Sequence, residues 1–60
     1  MNDIKTRTQE FLNELELPVT TFGRHVNLSR SAIYAWLHDQ LNLGAEAIQR
    51  IDDFITKYGF

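Results

Sequence analysis

Two apolar rhythms of helical period meet across only three residues. Val19, Phe22, Gly23 and Val26 lie on one side, Ile33, Trp36 and Leu37 on the other, and Asn27-Leu28-Ser29 separate them. Spacings of three and four place each set on one face of a helix. Helices joined this tightly must cross steeply, and a steep crossing turns a face of one of them outward. The residues at the break suit such a corner. Asparagine tolerates the left-handed backbone that ends a helix, and the Ser29 hydroxyl can cap the helix that follows. Gly23 is small where the two helices come closest, and Leu28 is placed to plug the gap below the turn. What the outward face serves is the functional question.

The remainder of the chain continues the helical pattern. Ile4, Thr8, Phe11, Leu12 and Leu15 mark an amphipathic first helix, with Asn2 or Asp3 as its cap. Asp3 also suits the positive end of the helix dipole. Pro18 ends this helix nearby, because the residue before a proline is pushed out of the helical region. It also fits the first turn of the second helix, where its missing N–H costs nothing. Asp39-Gln40-Leu41-Asn42 reads as a loop. A fourth helix is expected from about Gly44, with Ala47, Ile48, Ile51, Phe54, Ile55 and Tyr58 as its stripe. Gly59 stands where a left-handed terminating residue is wanted, and Phe60 is placed to fold back on the last turn. With no strand signal, residues 1–60 are expected to form a single all-α domain, a small four- to five-helix bundle. The expected core is Phe11, Leu12, Leu15, Phe22, Val26, Leu28, Ile33, Trp36, Leu37, Ile48, Ile51 and Ile55.

Sixty residues lie near the lower limit for a self-sufficient core, and 43% hydrophobic against 23% charged residues favours a globular chain over a disordered one. Cysteine is absent, so no disulfide or thiolate metal site can supplement that core. That suits a reducing cytoplasm. No apolar run approaches the roughly 20 residues that span a membrane, and "MNDIKTRTQE" lacks the apolar heart of a signal peptide. No membrane partner is expected.

The net charge of −2 argues against an indiscriminate nucleic-acid coat protein. Its distribution is more informative. Pro18 to His38 contains no acid but holds Arg24, His25, Arg30 and His38, giving this stretch +2. All eight acids lie outside it against Lys5, Arg7, Arg50 and Lys57, leaving −4 there. The domain is polarised, with the paired helices on its positive side. Catalytic signals are lacking. There is no nucleophile–base pair, glycine-rich phosphate loop or metal cluster, so neither an enzyme nor a cofactor is expected. His25 and His38 lack a second ligand at metal spacing and read as solvated. Asp52-Asp53 point about 100° apart on a helix and form a solvated face rather than a catalytic pair.

The stretch "FGRHVNLSRSAIYAWL" resembles the Cro and repressor family of phage-type helix-turn-helix proteins, and the likeness in helix order and length extends over nearly the whole chain. The resemblance implies a lambda repressor-like DNA-binding fold. Its third helix would lie in the major groove of double-stranded operator DNA, in a phage-type genetic switch. The helical period independently turns Arg30, Ser31, Tyr34, Ala35 and His38 outward once Ile33, Trp36 and Leu37 face inward. Arg30 can pair bidentately with guanine, Ser31 can bond a base or phosphate, and the Tyr34 ring can touch a thymine methyl or cover a neighbouring apolar patch. Ser29 and the free N–H groups at the helix start can hold a phosphate. Thr20, Thr21 and Arg24 suit backbone contacts. The chain also departs from the family pattern. Pro18 and Val19 stand where members often carry a hydroxyl cap and a glutamine, and lysine is absent from Pro18 to His38. Weak or conditional DNA binding is therefore expected.

A second reading is an antirepressor or modulator that binds a partner repressor protein and blocks its DNA binding. It is motivated by Asp3, Glu10, Glu14, Glu16, Asp52 and Asp53, which would repel phosphates but can mimic them. Its expected anchors are Arg30, Tyr34 and Phe60. Only Leu41, Leu43, Tyr58 and Phe60 remain for self-association, so a monomer or weak homodimer is expected.

Overall fold

In the computed structural model, which describes residues 3–60, a carboxylate oxygen of Asp3 accepts the Lys5 N–H at 3.1 Å and caps helix α1 (Ile4–Glu14). Asn2, the alternative cap, lies outside the described residues. Helix α2 (Val19–Val26) follows, then α3 (Arg30–Leu37) and α4 (Ala45–Thr56). Among the described residues there is no strand, and the chain is a small helical bundle.

Each helix is followed within three residues by one in the left-handed region: Glu16 (φ 49°), Asn27 (φ 61°), Asp39 (φ 61°) and Gly59 (φ 89°). This conformation lets an N–H just beyond the helix reach back to a carbonyl that would otherwise be orphaned. Thus Leu17 N–H donates to Leu12 O at 3.1 Å, Leu28 to Gly23 at 2.9 Å, Gln40 to Ala35 at 2.8 Å and Phe60 to Ile55 at 3.1 Å. Asn27 and Gly59 take the roles their residue types suggest. Pro18 does not sit inside the first turn of α2. At φ −61° and ψ 137° it is the cap, and its carbonyl accepts Phe22 N–H at 3.0 Å. The ring fixes φ but leaves ψ free, so the same residue suits either place.

Glu16 is exposed in a conformation that costs a non-glycine residue roughly 1–2 kcal/mol, and it adds negative charge to a helix C-terminus. Glycine relieves both but loses more chain entropy on folding. Glu16→Gly is expected to stabilise the domain by about 0.5–1 kcal/mol. The check is denaturant unfolding: the midpoint should rise with an unchanged slope.

The core sits where α1 crosses α4 and where α2 packs on both α3 and α4. Phe11, Phe22, Val26, Ile33, Ile51 and Ile55 are wholly buried, Trp36 nearly so, with Leu12 and Ala47 at the margin. Thr8 is buried too, and its hydroxyl donates to Ile4 O at 2.7 Å, which satisfies the polar group. Leu28, Leu37 and Ile48 pack against this core but are only partly buried. Leu15 departs from expectation, being 45% exposed. Its angle on the helix is right, but it is the terminal cap of α1, and nothing covers that end.

Phe60 folds back as its position suggests, its ring 5.5 Å from that of Phe11 in edge-to-face geometry. Arg7 holds it there by donating from Nε to Phe60 O at 2.5 Å. The same guanidinium bonds Thr56 Oγ1 at 3.1 Å and pairs with Asp52 at 3.0 Å, tying α1 to the end of α4. Phe60 packs on the core there and is half-buried, so part of its ring remains exposed. Arg50 makes a second long-range tie, donating from Nε to Val26 O at 2.9 Å. It fixes the end of α2 from α4, directly beside the turn.

Candidate nucleic-acid interface

Gly23 decides how closely α2 and α3 approach. A Cβ there would collide with the main-chain oxygen of Leu28, so only a residue without one lets the turn tuck against the helix. Ser29 then starts α3, its hydroxyl accepting Ala32 N–H at 3.1 Å while its carbonyl accepts Ile33 N–H at 3.1 Å. The N–H groups of Arg30 and Ser31 precede the first intrahelical bond of α3 and face its positive end.

A shallow concavity of about 390 Å³ lies over this turn, lined by Thr20, Gly23, Arg24, Asn27, Leu28, Ser29 and Arg30. It brings together Thr20, Arg24, Ser29 and Arg30 from the expected set, and all four are exposed. Ser31, Tyr34 and His38 are exposed along α3, whereas Thr21 and Ala35 are half-buried. Tyr34 and His38 do not join the concavity. They line a second, larger groove formed with α1.

The cations sort into two groups. Lys5 pairs with Asp39, Arg7 with Asp52, and Arg50 serves the Val26 carbonyl. Arg24 and Arg30 enter no ion pair among the described residues, and they flank the concavity from opposite sides of the turn. An anion placed there would meet two guanidinium groups, a hydroxyl and the start of a helix dipole. That is a set of groups suited to phosphate and base edges.

Lys5 is tied to the residues that follow α3 without any signal in its own sequence neighbourhood. It bonds the Asp39 carboxylate and lies 6.0 Å from the centre of the Trp36 ring. The hydrogen bond and charge of Lys5, with a smaller contribution from His38, hold the Asp39 carboxyl below the usual carboxylate range. The stabilisation this represents is present above the ordinary carboxylate pKa and is lost as pH falls through the lowered one. It also offsets the acid closest in sequence to the end of α3. Neither Lys5–Asp39 nor Arg50–Val26 has a local sequence signature, since their partners are 34 and 24 residues apart.

Among the described residues no cluster of three or more histidines or carboxylates could hold a metal ion. No described helix is long and apolar enough to cross a membrane. No protein-family model, curated protein or solved structure matches the chain.

Proposed function

We propose that this protein is a DNA-binding transcription regulator of the Cro and repressor type, acting in the cytoplasm of a bacterial host in a phage-type switch. Its α3 would lie in the major groove of operator DNA. The reading rests above all on one observation. The two arginines with neither an ion pair nor a side-chain hydrogen bond among the described residues flank the tight turn, on the only long stretch of chain that carries no acid. Arg30, in the first turn of α3, pairs bidentately with a guanine edge. Ser31 and Tyr34 read neighbouring bases, while Arg24, Thr20 and the Ser29 hydroxyl hold phosphates. With two free arginines and no lysine in this stretch, few counterions are released and binding is weak at physiological salt.

The test is retardation of duplexes selected from a random pool, repeated across salt concentrations. Arg30→Ala is expected to weaken specific binding by about 1–3 kcal/mol and relax preference at one base pair. Arg24→Ala should instead lower affinity for all sequences alike and reduce the salt slope by roughly one. Failure to enrich any duplex at low salt would end the DNA-reading proposal.

The second reading, a modulator that binds a repressor, is favoured by the exposure of Glu10, Glu14, Glu16 and Asp53. Arg30, Tyr34 and the exposed part of Phe60 are its anchors. Titration into a repressor–operator mixture separates the two: operator release without DNA binding by this chain would select the modulator.

A further inference from the structure

The larger groove lies away from the turn, between the C-terminal ends of α1 and α3, and has a volume of about 590 Å³. Leu12, Leu17, Val19 and Leu37 give it an apolar floor. Leu17, Val19 and Leu37 are only half-buried, so the floor retains surface that an occupant would remove from water. Gln9, Asn13 and Glu16 form the α1 wall, and Tyr34 and His38 the opposite one.

The electrostatics of this groove are negative on balance. The C-terminal ends of α1 and α3 meet there against the N-terminal end of α2 at Val19, so the helix ends leave a net of roughly half a negative charge. Neither α1 nor α3 has a basic residue in its last turn, and no lysine or arginine lines the groove. Glu16 adds a full negative charge at one end. Apolar floor and negative rim together select an occupant with apolar side chains flanked by cations. DNA is repelled by the same field.

We propose that this groove docks a cationic amphipathic helix of a partner protein, with leucine-like side chains on the floor and a lysine or arginine against Glu16. The proposal stands apart from DNA reading but has a consequence for it. Tyr34 and His38 belong both to the outward side of α3 and to the groove, so an occupied groove fixes the side chains that would otherwise adjust to a base edge.

The experiment titrates the isotope-labelled full chain, followed by amide NMR, with a synthetic peptide of about three helical turns. Its leucines repeat at helical spacing and its other positions are lysine. One control carries glutamate for lysine, another has the same composition with the leucine spacing scrambled, and a third probe is duplex DNA. Shift changes are expected at Leu12, Asn13, Leu17, Val19 and Leu37 with the amphipathic cationic peptide alone. Glu16→Lys should weaken that binding roughly fivefold, and Glu16→Gln by less, the amide spectrum of each variant confirming its fold. Equal binding of the scrambled peptide, or shifts centred on Asp52 and Asp53, would overturn the proposal. So would unchanged affinity in both Glu16 variants. Groove shifts that depend on protein concentration without peptide would assign the face to self-association instead. Groove shifts on adding DNA would replace the proposed partner with nucleic acid, whereas DNA shifts at Ser29 to Ser31 concern only the DNA-reading proposal.

Discussion

Phe11→Ala is expected to abolish cooperative folding at physiological temperature. Phe11 is wholly buried, and its ring lies 5.8 Å from Phe22, 5.7 Å from Phe54, 5.4 Å from Tyr58 and 5.5 Å from Phe60. It therefore joins α1 to α2, to α4 and to the residues that follow α4. Truncation removes the ring and leaves a cavity that four other rings cannot all collapse to fill, a loss of about 3–5 kcal/mol. A chain of this length has roughly 3–9 kcal/mol of stability in all. Thermal unfolding followed by circular dichroism is the check, with Phe11→Leu as the milder comparison. A cooperative melt near the parent temperature for Phe11→Ala would show that this cluster does not hold the helices together.

Gly23→Ala should be nearly as damaging, through a different mechanism. The added Cβ would fall on the Leu28 carbonyl and come within 3.3 Å of Ile33 Cδ1. The Ile33 side chain can give way, but the carbonyl belongs to the turn itself, whose Leu28 N–H is bonded back to Gly23 O at 2.9 Å. Relief requires α3 to move away from α2, at a cost of about 2–3 kcal/mol. The altered crossing should also remove duplex binding, because the concavity between Arg24 and Arg30 depends on it. Gly44→Ala is the internal control. Its backbone is ordinary, at φ −69°, and a Cβ there meets nothing within 4 Å. Denaturant unfolding and duplex retardation of both variants, measured together, test the mechanism. Equal, small effects at the two glycines would show that the close approach at Gly23 is not required.

Where a feature depends on residues within about one helical turn of one another, the sequence by itself determines it. The four helices, their apolar faces, the Ser29 cap and the left-handed Asn27 and Gly59 are of this kind, because backbone sterics and short-range hydrogen bonds act locally. The outward row Arg30, Ser31, Tyr34 and His38 follows from the same period, which also turns Ala35 outward although the structure half-buries it. Glu16 is not legible as a left-handed residue because nothing in its side chain favours that role; Asp39 is of a type that tolerates it, and at both positions the reach-back bonds at the helix end impose it. Beyond one turn the outcome depends on packing. Leu15 has the spacing of a core residue, yet no neighbour covers the end of α1 on which it sits. Phe60 folds back as its position suggests, but the Arg7 that holds it there lies 53 residues away in the chain and has no local signature. The separation of Tyr34 and His38 from the turn, and their inclusion in a groove with α1, arises only when two helices that are not neighbours in sequence place their C-terminal ends side by side. Periodicity specifies which face of each helix is apolar; the way those faces fill one shared volume decides which residues remain outside it.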